Sequence, residues 1–181
     1  MLVITGPSGV GKGTVIRALR ERLSGVEVAV SATTRAPRPG EVDGRDYHFL
    51  SREEFERRLA RGEFLEHATY AGNRYGTLRA ELERPARLLV LEIEIQGARQ
   101  VREALPGAMR VFIAPPSLDA LRERLADRGS DSPEQVESRL AAAREELGAR
   151  PEFAHVIVND RLDAAVDELV RLVATMRGIE P

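Results

Sequence analysis

The chain contains no cysteine, so disulfides and cysteine-ligated metals are excluded. It has almost no lysine: Lys12 is the only one among 27 basic residues. No apolar run approaches the ~18 residues that a membrane span requires. The longest, Leu88 to Leu91, is strand-sized. Met1 to Gly6 carries neither a positive flank nor a cleavage site, so no signal peptide is expected. Charge of one sign is not in surplus either. The 27 basic and 29 acidic side chains leave a formal net charge of -2, which offers no basic field for wrapping nucleic acid. These absences predict a globular, cytoplasmic protein with no nucleic-acid or membrane partner. A length of 181 residues suits one domain, or one domain with inserted subdomains, and buries a core without staples.

What is present alternates between two periods. Leu2 to Thr5, Val26 to Val30, Arg87 to Glu94, Arg110 to Ala114 and Val156 to Val158 read as buried strands. Helical spacing occupies Thr14 to Leu23, Ala98 to Leu105 and Leu162 to Met176. Ser51-Arg52-Glu53-Glu54 opens a helix through about residue 61, and Ser117 caps another to about residue 127. Ser132-Pro133-Glu134-Gln135 combines a cap, a first-turn proline and a capping-box Gln, and starts a helix to about residue 147. Phe64 to Tyr70 looks extended and precedes a turn at Gly72-Asn73, and Tyr47 to Leu50 reads as a short strand. Five buried strands joined by helices imply an α/β fold with a doubly wound parallel sheet. Residues 33–85 and the arginine-rich pair of helices around 120–145 fit that core badly. Both are candidate insertions over the carboxyl edge of the sheet, where such folds bind ligands.

The one lysine has a telling place. Gly6-Pro7-Ser8-Gly9-Val10-Gly11-Lys12 follows a strand and precedes a helix, which is the context of a Walker A loop. Glycines let backbone N–H groups converge on phosphate oxygens, and the helix dipole adds to them. Lys12 is expected to reach the β- and γ-phosphates. A biased base composition explains an arginine excess but not the position of the remaining lysine. The alternative is an ordinary Gly-rich strand-to-helix turn. The next residue is Gly13, where Ser or Thr is usual, so this loop lacks the customary hydroxyl for Mg²⁺. Thr14 is a candidate phosphate contact. A guanine-reading Asn-Lys-x-Asp motif is ruled out because no second lysine exists.

Residues 31 to 47 place Arg35 and Arg38 beside two prolines and a glycine. Two guanidinium groups on a stiffened loop suit a phosphate that needs several charge-assisted donors. A solvated charged loop explains the same pattern equally well. Leu88 to Glu94 carries Glu92 and Glu94 at alternate positions. On one strand both project to the same face, where they could order a Mg²⁺-bound water or steer the arginines.

With these segments in view, the chain resembles the guanylate kinases over essentially its whole length. The resemblance is carried by Gly6–Lys12, Ser31-x-Thr33-Thr34-Arg35-x-Pro37-Arg38-x-Gly40-Glu41-x-x-Gly44-x-Asp46-Tyr47-x-Phe49, Gly62–Glu66, Tyr75-Gly76-Thr77, Ile95-Gln96-Gly97 and Val158-Asn159-Asp160. It implies a P-loop three-layer αβα fold with a five-stranded parallel core. It also implies a core of about 1–32, 86–120 and 148–181, a GMP-binding insertion of about 33–85 and a helical lid of about 121–147. The reaction implied is transfer of the γ-phosphoryl of ATP to GMP. Mg²⁺ would be held mainly through nucleotide and water, with no metal site built by the protein. His48, His67 and His155 show no ligand spacing.

The resemblance also implies roles residue by residue. Gly6, Pro7, Ser8, Gly9, Val10, Gly11, Lys12, Gly13 and Thr14 would bind ATP, with Asn159 near its adenine. Ser31, Arg35, Arg38, Tyr47 and Tyr75 would hold the GMP phosphate. Glu66 and Thr77 would read the base, and Glu92 and Glu94 would face the acceptor. Arg128 and Arg139 would join Lys12 and Arg35 in stabilising the transferring phosphoryl group. Arg122, Arg124 and Arg144 read as a solvated helix face. A monomer or a homodimer is expected. Two other functions remain open: a kinase for another small phosphorylated acceptor, and a non-catalytic guanylate-kinase-like binding module.

Overall fold

The structure is a computed structural model that describes residues 1–127 and 132–176. Its main sheet has five strands: β1 (Leu2–Thr5), β2 (Val26–Val28), β7 (Leu88–Glu92), β8 (Met109–Ala114) and β9 (His155–Val158). Their order is β2-β7-β1-β8-β9. The β2–β7 and β8–β9 pairings are parallel, and the five-stranded parallel core expected from the alternation is present. β1 is wholly buried, as is most of β8. This is why both read as apolar runs without alternation.

The chain forms two compact units. One contains Met1–Val3 and Val26–Ala108, the other Ile4–Gly25 and everything from Met109 onward. The first unit adds a second sheet, made of β3 (Ser31–Thr33), β4 (His48–Phe49), β5 (Phe64–Tyr70) and β6 (Asn73–Leu78), in the order β4-β3-β6-β5. It also holds α2 (Arg52–Ala60), a 3₁₀ turn (Arg79–Glu83) and α3 (Ile95–Ala104). Ala32, Phe55, Phe64 and Leu78 form a small core here, with the rings of Phe55 and Phe64 stacked at 4.3 Å. Phe55 lies on α2, whose start Ser51 caps by accepting from the Glu54 N–H.

The second unit contains α1 (Lys12–Arg22), α4 (Leu118–Ala126), α5 (Pro133–Gly148) and α6 (Leu162–Met176). α4 and α5 close over Leu121, Leu125, Val136, Leu140 and Ala143. The predicted capping box at Ser132 and Gln135 is formed in both directions. No helix among the described residues is long and apolar enough to cross a membrane.

Two differences from the sequence reading bear on the site. β3 is too short, and β6 too mixed in polarity, to read as a strand, yet the two organise the second sheet. The carboxylate pair at the end of β7 is also not on one strand. β7 stops at Glu92, and Glu94 occupies the N-cap position of α3. The helix starts at Ile95, three residues before the Ala98 expected, because Ile95, Ala98 and Val101 bury at spacings of three.

Candidate functional site

In the first unit, strand register assembles a polar row. Ser31 of β3 pairs with Thr77 of β6, and Thr77 pairs with Glu66 of β5. Tyr75, two residues before Thr77, shares that face. The Thr77–Glu66 pairing depends on an irregularity. Phe64 pairs with Leu78 while Glu66 pairs with Thr77, so Leu65 is the extra residue of a β-bulge. Bulges re-aim side chains. Strict alternation would put Glu66 on the face of Phe64, in the small apolar core. The bulge lets it follow Thr77 onto the other face, since Thr77 alternates with the core residue Leu78.

The result is a buried carboxylate. Glu66 is 3% exposed and Thr77 1%. The Thr77 hydroxyl donates to Glu66 Oε1 at 2.7 Å. Burial pushes the Glu66 carboxyl up to about 7 against the pull of that hydrogen bond, and the charge of Glu94 adds to the rise. Glu94 therefore acts electrostatically on Glu66.

Beside this row stands a cationic and aromatic cluster. Nη2 of Arg35 donates to both oxygens of Glu41, at 2.8 and 2.9 Å, and Nη1 donates to the carbonyl of Ala36 at 2.7 Å. The Glu41 hydrogen bond raises the Arg35 guanidinium above its ordinary value. The Arg35 guanidinium lies 5.3 Å from the Tyr47 ring centroid, and Tyr47 meets Tyr75 edge-on at 6.2 Å. Burial, then Tyr75 and Glu92, push the Tyr47 phenol up, so it stays a neutral donor. Ser31, Arg35, Tyr47, Tyr75 and Glu92 are partly buried, whereas Arg38 is exposed and gives its backbone N–H to Glu41 at 2.7 Å.

Glu41 was not among the candidate site residues, although it holds the Arg35 guanidinium and the Arg38 backbone N–H. Its place in the Pro-rich motif was the available signal. Glu81 was missed too. It is 8% exposed and accepts from the Val30 N–H at 2.8 Å, meets His48 at 2.9 Å and takes Arg84 at 3.0 Å. Nothing in its local sequence marks it.

In the second unit, the turn between β1 and α1 is a phosphate-type loop. A Cβ at Gly6 would fall 2.2 Å from the Ile113 carbonyl oxygen, so only glycine admits this approach of loop to strand. Gly11 takes a left-handed φ of 97° at the N-cap of α1 and leaves that end without a side-chain cap. Its free N–H groups suit an anion. Lys12 Nζ donates to the carbonyls of Gly6 and Pro7 at 2.7 and 3.2 Å. The ammonium is thus folded over the loop, where a phosphate would meet it. Gly13 and Thr14 are exposed.

Neighbouring elements hold the loop. Arg139 of α5 donates to the Ser8 hydroxyl at 2.8 Å, and Glu146 accepts from the Ser8 N–H at 3.3 Å. Asn159, 7% exposed, gives its side-chain N–H to the Val10 carbonyl at 2.9 Å. That side chain therefore braces the loop backbone. Arg122 pairs with Glu137 across α4 and α5, and Arg124 reaches the Asp160 carbonyl, both on exposed surface. Arg128 lies outside the described residues. Among the described residues no group of three or more His, Asp or Glu could hold a metal ion.

Comparison with known proteins identifies the family of the chain. The family model described as guanylate kinase matches residues 1–176. A guanylate kinase of Gloeobacter violaceus is 57% identical over 176 residues, covering 96% of this chain and 86% of that protein. One from Frankia casuarinae is 55% identical over 181 residues, covering 98% and 97%. The crystal structure of guanylate kinase from Anaplasma phagocytophilum superposes with a TM-score of 0.76 at 35% identity, covering 98% of this chain and 84% of that one.

Proposed function

The chain belongs to the guanylate kinase family as an ATP:GMP phosphotransferase, and from that premise we propose how its residues divide the reaction. A GMP phosphate oxygen attacks the γ-phosphorus of ATP, and the bond from that phosphorus to the β–γ bridging oxygen breaks. ADP and GDP result. The acceptor phosphate is already ionised near neutral pH, so no general base is needed.

One observation carries the acceptor assignment: a buried carboxylate beside a buried hydroxyl, Glu66 and Thr77, at 2.7 Å. Guanine presents N1–H and N2–H₂ side by side, and a carboxylate accepts both. Adenine presents an acceptor at N1 and no 2-amino group. A mismatched buried edge costs about 1–3 kcal/mol per unpaired group. Ser31, Tyr47 and Tyr75 supply hydroxyls to the acceptor phosphate, and Arg35 and Arg38 supply charge. Glu41 already holds Nη2 of Arg35 with both its oxygens, so the arriving phosphate meets an oriented guanidinium. Glu92, which acts on Tyr47, and Glu94, which acts on Glu66, tune the two ends of that pocket.

The loop from Gly6 to Thr14 binds the donor phosphates through its N–H groups and Lys12. Arg128 and Arg139, in a lid of about 121–147, stabilise charge on the transferring phosphoryl group. The core then comprises about 1–32, 86–120 and 148–181, and the GMP-binding insertion about 33–85. The donor set fits a magnesium ion that arrives on the nucleotide. Gly13 has no hydroxyl, and Thr14 is the exposed hydroxyl of the loop. Bound there, the ion would supply charge neutralisation to the phosphates.

The direct test is ADP formation from MgATP with GMP, dGMP, AMP, UMP and CMP in turn. Turnover with GMP far above AMP is expected. Equal turnover with AMP would overturn the base-reading role.

A further inference from the structure

Helix α3 touches β5 at two points that flank Glu66, and neither belongs to the machinery described so far. The first is Gly97, in the first turn of α3. A Cβ at this position would lie 2.1 Å from Glu66 Oε2, 2.8 Å from its Cδ and 3.3 Å from its Cγ. The carboxylate thus occupies the volume that any other residue at 97 would fill. Gly97 is buried, so the overlap has no route into solvent.

The second is Gln100, one turn along the same helix. β5 is the edge strand of its sheet, and edge strands carry unpaired N–H and C=O groups. At His67, immediately after Glu66, both are taken by one side chain. The His67 N–H donates to Gln100 Oε1 at 3.1 Å, and Gln100 Nε2 donates to the His67 carbonyl at 2.6 Å. The amide completes the ladder as a neighbouring strand would. It does so next to the bulge at Leu65, where the ladder is weakest.

We propose that Gly97 and Gln100 are positioning residues for base recognition: Gln100 pins the strand that carries Glu66, and Gly97 leaves the space its carboxylate needs. This rests on Glu66 being the base reader. Gly97→Ala forces the carboxylate to shift by more than an ångström to regain an ordinary contact. Shifts of that size cost up to about 10²-fold in recognition. Gln100→Ala frees the edge of β5 and leaves Glu66 aligned by Thr77 alone.

The test compares kcat and KM for GMP, for its analogue without the 2-amino group (IMP), and for ATP. Wild type, Glu66→Ala, Gly97→Ala, Gln100→Ala and the doubles Glu66→Ala/Gly97→Ala and Glu66→Ala/Gln100→Ala are measured. Gly97→Ala is expected to raise the KM for GMP roughly tenfold or more, and Gln100→Ala roughly threefold to tenfold. KM for ATP should stay within about twofold of wild type, and the preference for GMP over IMP should shrink. With Glu66 already removed, each change should add less than about twofold, because its target is gone. A general structural role would move KM for ATP and kcat as well, and its effect would persist in the doubles. That result would overturn the proposal. The premise fails separately, if Glu66→Ala alone leaves the KM for GMP and the GMP/IMP preference unchanged. If Gly97→Ala does not fold, Gln100→Ala and its double decide the question alone.

Discussion

In the proposed division of roles, the two substrate-binding regions solve opposite problems. The loop from Gly6 to Thr14 recognises a phosphate, which every nucleotide carries, and it does so with backbone N–H groups, two special glycines and one ammonium. Its side chains bury little charge, and its Lys12 rests on its own carbonyls. The Glu66–Thr77 end is proposed to recognise one base among several. It does so by burying a carboxylate 3% exposed and holding it there before any ligand arrives. Generic recognition is built from backbone geometry at little cost to stability. Specific recognition is built from a polar group that burial disfavours.

This contrast can be broken at its strongest point first. Lys12→Met removes the one mobile charge of the loop, and kcat should fall by roughly 10²–10³-fold. The thermal midpoint should stay within about 2 °C, because among the described residues the ammonium donates only to loop carbonyls. A variant of wild-type kcat would remove Lys12 from the chemistry.

The next largest effect has two signs. Glu66→Gln should raise the KM for GMP by about tenfold or more, because the amide presents a donor toward guanine donors. It should also stabilise the ligand-free protein above pH 7. The sign follows from linkage. A carboxyl raised from 4.5 to about 7 by burial holds its proton in the folded state at pH values where the unfolded chain has lost it. Stability therefore falls as pH rises from the unfolded value to about 7, and the loss is complete above that. Replacing the carboxyl with an amide removes a penalty on the order of 1–3 kcal/mol. Denaturant melts at pH 8 check this, and a destabilised Glu66→Gln would contradict it.

Smaller effects sharpen the comparison on the donor side. Asn159→Ala removes the brace on the Val10 carbonyl and should raise the KM for ATP several-fold, about 1 kcal/mol, with the KM for GMP unmoved. Arg122→Ala breaks an exposed pair with Glu137 and should change stability by less than about 0.5 kcal/mol. A large loss of activity there would reassign Arg122 to the phosphates.

The same contrast explains what could be read from sequence. The donor loop is contiguous, so spacing, a preceding strand and the lone lysine were enough to find it. The parallel core was equally legible, because fully buried strands such as Val111 to Ala114 are apolar throughout. The acceptor site is discontinuous. Ser31, Thr77 and Glu66 meet only through the register of β3 and β6, which carry no clear period, with β5, and through a bulge at Leu65 that no local pattern announces. Resemblance supplied those residues, while physics alone left Glu66 among many surface carboxylates. Glu41, Glu81 and Gln100 act by holding other groups in place. A holding role depends on long-range contacts, such as Glu81 to Val30 across 51 residues, that spacing does not reveal. The start of α3 was misplaced because Glu94 continued the polar alternation of β7, while burial of Ile95 favoured helix.

The central claim is that specificity rests on a buried carboxylate that must give up its proton to accept from guanine. The most direct measurement is the KM for GMP from pH 5.5 to 8.5, with the KM for ATP followed in parallel, for wild type and Glu66→Gln. For wild type, the KM for GMP should be flat above about 7 and climb toward tenfold per unit below it. In Glu66→Gln the KM for GMP should start high and lose that break. A wild-type KM for GMP with no break near 7, or a break near 7 that survives in Glu66→Gln beyond the one at about 6 that the GMP phosphate itself brings, would contradict the claim.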